Sequence, residues 1–138
     1  PSFELFKSFK KIFDDINRKF GLNQQLIPYF ISSHPASTIE SMANLAEETS
    51  SLGYRLEQIQ DFTPTPMTLS TTIYYCGFDP YTQKPVYTAK EKQEKQLQQT
   101  FFFWYKPENR AIIRQQLLKI NRKDLIAKIF FKNNSTRK

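Results

Sequence analysis

The sequence predicts an α/β chain organised around one parallel βα repeat, and three observations carry that reading. Residues 28–66 run strand, tight polar turn, helix, strand and Pro-rich exit. In the flanking segments apolar side chains recur every three or four residues, which is helical spacing. The length of 138 residues gives room for one domain with a real core but not for a closed barrel of about 250 residues, so any barrel is represented here by a piece.

The first element is a helix ending at Phe20. Phe3, Phe6, Phe9, Ile12, Phe13, Ile16 and Phe20 form an apolar stripe between Lys7, Lys10, Lys11, Asp14, Asp15 and Arg18, and Gly21 is placed to stop the helix in the left-handed conformation. Because a strand follows within a few residues, the stripe is expected to be core, packed on that strand. The strand is Leu26–Ile31, and Pro28, which lacks a ladder N–H, puts it near an edge. Ser37 with Glu40 three residues on fits a capping box, so a helix is expected from there through Ile39, Met42, Ala43, Leu45, Ala46 and Leu52 to Gly53. The second strand, Leu56–Phe62, is too polar to be buried on both faces. Alternation puts Leu56, Gln58, Gln60 and Phe62 on one side, with Gln58 and Gln60 expected to face a polar lumen.

Met67–Pro85 reads as a long functional loop or linker, with a short strand near Val86 and Tyr87. A helix is expected over Ala89–Tyr105, its aromatic end Phe101-Phe102-Phe103-Trp104-Tyr105 docking on the main body. Pro107 suits the first turn of another, Pro107–Ile120, with Ile112, Ile113, Leu117 and Leu118 on one side. A last helix, Lys123–Ile129, precedes a polar end, Lys132–Lys138, expected to be disordered.

Charge divides the chain. Residues 1–81 carry six Lys or Arg against nine Asp or Glu, and residues 82–138 fourteen against four, so the overall +7 belongs to the second half. No apolar run reaches the ~18 residues of a membrane span, and the first residues lack the order of a secretion signal, so no membrane partner and a cytoplasmic location are expected. A first residue of Pro, with a helix beginning at once, leads to the expectation of an excised segment. Cys76 is alone, which excludes an internal disulfide and a cysteine metal site within the chain.

The candidate site follows from the strand ends. The first strand runs into Ser32-Ser33-His34-Pro35 and the second into Thr63-Pro64-Thr65-Pro66-Met67-Thr68. Ligands in barrels and open α/β sheets sit at the carboxyl ends of strands, so Ser33, His34, Thr63 and Thr65, with Gln58 and Gln60, are the candidate binding residues. His34 has no second histidine with which to form a metal site, and a structural hydrogen bond or a ligand contact both fit it. The glycine patterns of phosphate loops are missing, and capping accounts for Ser37 without a ligand. Asp14-Asp15 and Glu47-Glu48 read as solvated helix faces. The basic, aromatic second half admits single-stranded nucleic acid as a partner, although contiguous aromatics at a helix end suit docking better than base stacking.

Leu26-Ile27-Pro28-Tyr29-Phe30-Ile31-Ser32-Ser33-His34-Pro35, the run Gln58–Thr68 and Thr71-Thr72-Ile73-Tyr74-Tyr75 closely resemble the C-terminal part of the YgiQ family of radical S-adenosylmethionine proteins. Lys106-Pro107-Glu108-Asn109 through Lys123-Asp124-Leu125-Ile126 resembles that family's C-terminal extension. The resemblance implies that residues 1–68 are the last portion of a partial (β/α)6 barrel and residues 69–138 a basic, mainly helical extension. It further implies that the full-length protein is an iron–sulfur enzyme whose 4Fe–4S cluster reductively cleaves S-adenosylmethionine, with the missing N-terminal part as this chain's partner and a small-molecule or macromolecular substrate. Ser33-His34-Pro35-Ala36 and Phe62–Thr68 then match turns near the adenosyl and substrate side.

Two departures accompany the resemblance. Ala36 stands where the family usually has Gly, so its backbone is expected to avoid the left-handed region. The Cys-x-x-x-Cys-x-x-Cys motif is absent, so neither cofactor nor activity is expected of this chain alone. A barrel piece also exposes surfaces that once met other strands, and self-association is expected from them.

Overall fold

The computed structural model describes residues 3–130. Its elements are α1 (Phe3–Phe20), β1 (Ile31–Ser32), α2 (Ile39–Ser51), β2 (Gln60–Asp61), α3 (Leu69–Cys76), α4 (Lys92–Phe102), α5 (Pro107–Lys119) and α6 (Asp124–Phe130). The result is a mixed α/β fold, mostly helical, around a two-stranded parallel sheet. The expected polar end Lys132–Lys138 lies outside the described residues.

The parallel sense of the strands matches the expected βα repeat, with Ile31 opposite Gln60 and Ser32 opposite Asp61. The Gln60 N–H donates to the Phe30 carbonyl at 3.2 Å and the Phe62 N–H to the Ser32 carbonyl at 2.8 Å. Both strands are far shorter than the expected Leu26–Ile31 and Leu56–Phe62. Each has only one neighbour, and Pro28 has no N–H to extend the ladder. Strand-like alternation nevertheless persists before β1, where Leu26, Pro28 and Phe30 turn inward and Ile27, Tyr29 and Ile31 are exposed.

Helix α1 forms as its periodicity requires and closes in a Schellman motif: Gly21 has φ 62, and the Leu22 N–H reaches the Asn17 carbonyl at 2.9 Å. Its expected burial is largely absent, with only Phe6 and Phe13 of the stripe's described side chains half-buried. Leu5, Phe9, Ile12, Ile16 and Phe20 are all exposed. The helix touches the body at its edge, through Lys7 paired with Glu48 at 3.3 Å and the Phe6 ring 6.3 Å from Tyr54. Across from Leu26, Ile27 and Pro28 it leaves a cleft of about 440 Å³ rather than packing on the strand. A sheet this small has no apolar face broad enough to cover an 18-residue helix.

Helix α2 is capped by Thr38, whose hydroxyl accepts the Ser41 N–H at 3.1 Å, and not by Ser37. The Ser37 N–H is already used by the His34 carbonyl at 2.9 Å, and Glu40 turns outward to Arg122 at 3.3 Å. Helix α3 replaces part of the expected loop Met67–Pro85. Thr68 caps it by accepting the Thr71 N–H at 3.3 Å, and Gly77, at φ 74, ends it. Its Thr and Tyr residues have modest helix propensity, which hid it in the sequence. Instead of a strand at Val86 and Tyr87 there is a single bridge between Phe78 and Pro85.

One core draws on both sides of residue 68. Met42, Ala43, Ala46 and Leu56 meet Phe101, Phe102, Trp104, Ile113, Leu117, Leu125 and Ile129. The aromatic end of α4 docks as expected. On α5 only Ile113 and Leu117 are buried; Ile112 and Leu118 are exposed, because each lies about 100° around the helix from the packed line. Polar ties reinforce the joint: the Tyr105 hydroxyl donates to the Leu56 carbonyl at 2.7 Å and the Ser50 hydroxyl to the Ile129 carbonyl at 3.0 Å. No described helix is long and apolar enough to cross a membrane.

Candidate functional site

After β1 the chain must turn sharply to start α2, and a residue distant in sequence holds that turn. Gln98 of α4 is fully buried. Its Oε1 accepts the Ser33 N–H at 3.0 Å and its Nε2 donates to the Ser37 carbonyl at 2.6 Å. The Ala36 N–H donates to the Tyr87 carbonyl at 2.8 Å. Within this clamp Ser33 takes φ 61 and Ala36 φ 71, which overturns the expectation that Ala36 avoids the left-handed region. A left-handed residue costs about 1–2 kcal/mol, and the hydrogen bonds from α4 and Tyr87 over-determine the turn enough to impose it.

The turn presents His34 at the end of β1. Its Nδ1 lies 2.9 Å from the Pro35 carbonyl and its Nε2 3.2 Å from the Ser70 hydroxyl. A carbonyl can only accept, so Nδ1 carries a proton, and in the neutral ring Nε2 is the acceptor for the Ser70 hydroxyl. The ring stands edge-on to Phe62 at 5.1 Å.

The exit of β2 is ordered by its own threonines. Thr63 donates to the Asp61 carbonyl at 3.4 Å and Thr65 to the Thr63 carbonyl at 3.4 Å, while Thr68 and Thr71 reach the Thr65 carbonyl at 2.9 and 2.7 Å. Asp61 accepts from the Ser32 hydroxyl and from Gln99 Nε2, the latter at 2.8 Å, so both strand ends are tied to α4. Between the two exits lies a cleft of about 360 Å³ whose polar lining is His34, Gln60, Asp61, Thr63, Thr65, Thr68 and Ser70.

Four of the six expected residues therefore converge: His34, Gln60, Thr63 and Thr65. Ser33 does not line this cleft; it is buried behind the turn, with its N–H on Gln98 and its hydroxyl unpartnered. Gln58 is exposed and is not part of the cleft wall, and Gln60 is held by the Tyr29 hydroxyl. Sequence reasoning missed Ser70, Thr68 and the buried Gln98. The Thr68-x-x-Thr71 spacing was a usable cap signal, whereas nothing local marks a glutamine whose partners lie more than sixty positions away.

The larger cleft under α1 lies toward the amino ends of the strands and is the gap left by an uncovered helix. The strand-end cleft is the better candidate because hydroxyl, amide and imidazole groups converge there beside the Asp61 carboxylate, able to orient a polar ligand. Among the described residues no group of three His, Cys, Asp or Glu could hold a metal ion, and Cys76 is free and exposed. An iron–sulfur cluster therefore has no ligand set among them.

Residues 57–129 match the family described as "Domain of unknown function (DUF3362)". The chain belongs to the DUF3362 family. Its matched region begins just before β2 and runs almost to the end of α6, so it takes in the second strand exit and all the helices from α3 onward. The DUF3362 chain is also similar to UPF0313 proteins. That of Bacteroides thetaiotaomicron is 59% identical over 134 residues, covering 97% of this chain and 22% of the relative. The one from Porphyromonas gingivalis is 58% identical, covering 99% of the chain and 22% of the relative, and the one from Methanocella arvoryzae is 44% identical, covering 91% and 21%. The chain thus spans about a fifth of the length of the curated relatives it matches. No solved structure matches it.

Proposed function

We propose that this chain is the C-terminal wall of a cytoplasmic radical S-adenosylmethionine enzyme of the YgiQ type. In this reading residues up to about 68 complete a partial (β/α)6 barrel and the remainder is its helical extension. The observation that carries it is the parallel register of β1 and β2, which delivers His34 and the threonine exit to one cleft at the strands' carboxyl ends. The similarity to UPF0313 proteins about five times as long supports a larger catalytic whole.

The cluster, bound elsewhere in that protein, would supply the electron that cleaves the cofactor. The residues of this chain bind and orient. His34, with its proton on Nδ1 and Nε2 turned to Ser70, offers a fixed imidazole edge. Gln60, Thr63 and Thr65 offer neutral hydrogen bonds to cofactor or substrate, and the uncovered face of α1 with Ile27, Tyr29 and Ile31 meets the rest of the barrel. Base stacking by the aromatic run is disfavoured because Phe101, Phe102 and Trp104 are committed to the core. Iron and sulfide analysis of the longer protein, with detection of reductive S-adenosylmethionine cleavage, tests the reading. A longer protein that binds no cluster when reconstituted anaerobically sinks it.

A further inference from the structure

Asp61 is shared by two clefts. On its far side from the His34 cleft lies a second space of about 390 Å³, lined by Asp61, Lys90, Lys92, Lys95, Gln96 and Gln99. Three ammonium groups surround this space, and none of the ion pairs formed among the described residues uses them, whereas Lys7, Lys10, Arg18 and Arg122 are all paired. The nearby carboxylate of Glu94 is occupied otherwise, accepting the amides of Lys90 and Glu91 at 3.2 Å each and the Tyr87 hydroxyl at 3.2 Å. Asp61 itself is engaged by Ser32 and Gln99.

Two of the lysines are also positioned. Lys90 Nζ donates to the Tyr75 carbonyl at 3.2 Å and Lys95 Nζ to the Tyr74 hydroxyl at 3.3 Å, and the two lie 5.9 and 5.6 Å from the centre of the Tyr74 ring. Contacts of this kind fix the stems of flexible side chains without neutralising their charge. Three ammonium-bearing side chains face the single Asp61 carboxylate around this cleft, which leaves a net positive charge that a further anion would offset. The Tyr74 ring in turn packs on Phe62, which lines the first cleft and touches His34. The two spaces are thus neighbours across one wall of side chains.

We propose that the Lys90, Lys92 and Lys95 cleft binds the phosphate group of a phosphorylated small molecule. The anion site stands on its own geometry and does not depend on the proposed function. Lysine suits this task as a point charge that needs no bidentate fit, and Gln96 and Gln99 supply neutral amides beside it.

The test is calorimetric titration of the intact protein with inorganic pyrophosphate and, separately, with a single-stranded oligonucleotide. Pyrophosphate should bind, and Lys90→Ala and Lys95→Ala should each weaken it by about tenfold, the loss of one charge-assisted contact. Lys95→Arg should keep most of the affinity, and Lys123→Ala, an exposed lysine outside the cleft, should change nothing. Circular dichroism confirms that each variant folds. Absence of pyrophosphate binding at millimolar concentration overturns the proposal, as does an equal loss in Lys123→Ala, which would mean diffuse electrostatics. A clear preference for the oligonucleotide, lost in parallel in Lys119→Ala and Lys123→Ala, also overturns it. S-adenosylmethionine cleavage is followed in the same variants: cleavage without pyrophosphate binding removes the anion site alone, and pyrophosphate binding by a protein that holds no cluster removes the radical-enzyme reading alone.

Discussion

Helices α1 and α4 both carry phenylalanines, yet these side chains end in opposite environments. Phe9 and Phe20 on α1 are 52% and 65% exposed, whereas Phe101 on α4 is 1% exposed. Amphipathic spacing states that a helix has a face to bury and says nothing of what will cover it. For α4 the cover is present within the chain: α2, β1 and α5 all pack against it, and its Gln98 and Gln99 tie down both strand exits. For α1 the described contacts with the body run along its edge, through Tyr54 and Glu48. One helix organises the site, and the other leaves much of its apolar face exposed.

The sharpest way to break that contrast is truncation of one aromatic on each helix. Phe101→Ala should cost about 3–5 kcal/mol in denaturant unfolding. Phe9→Ala in the same 138-residue chain should stay within about 0.5 kcal/mol, yet it should destabilise a longer protein in which α1 is covered. Equal costs for the two changes in the isolated chain would show that the exposure of α1 is wrong.

Gln98→Ala comes next, because it strands the buried Ser33 N–H and Ser37 carbonyl at once. A loss of about 2–4 kcal/mol is expected, together with displacement of the His34 ring seen as a shift of its imidazole proton resonances. An unmoved His34 signal would separate the turn from α4. Ala36→Gly works in the other direction. Removing the Cβ relieves the left-handed residue while loosening the unfolded chain, so unfolding should need up to about 1 kcal/mol more, and a destabilised variant would contradict the φ of 71.

The smallest effect concerns the tie between α6 and α2. The Arg122 guanidinium, hydrogen-bonded to Asp124 at 3.0 Å, holds that carboxyl below the usual carboxylate range. A depressed carboxylate pKa contributes stability that is present above the unfolded value and disappears as pH falls through the folded one. Wild type and Arg122→Ala should therefore differ slightly at neutral pH and converge in thermal unfolding below the carboxylate range. A gap that persists in strong acid would assign the role of Arg122 to its packing and to Asn44, which it also reaches at 3.2 Å.

Legibility followed range. The parallel βα repeat, the glycine stops at Gly21 and Gly53, the Pro107 start and the docking of Phe101–Tyr105 rest on neighbours a few positions apart or on strong apolar content, and all could be read directly. Helix α3 was missed because its cap was outvoted by weak propensities. Thr38 and not Ser37 carries the cap because the turn brings α2 in at Ile39, and the Ser37 amide, bonded to the His34 carbonyl, leaves no reciprocal partner for Glu40. Of the site, His34, Gln60, Thr63 and Thr65 were legible because strand ends are where polar loop residues accumulate.

The amino-acid sequence by itself determined that five of the six described helices and a parallel pair of strands form, which residues stand at the strand exits, and that the second half is basic, since each of these is a local property of spacing, capping or charge. Only the tertiary structure decided that Gln98 clamps the first exit, that Ala36 is left-handed, that Ser33 and Gln58 lie off the cleft, and that α1 is bare while α4 is buried. Those outcomes depend on which distant surfaces meet. Free energy of burial belongs to a pair of surfaces, and a sequence pattern displays only one of them.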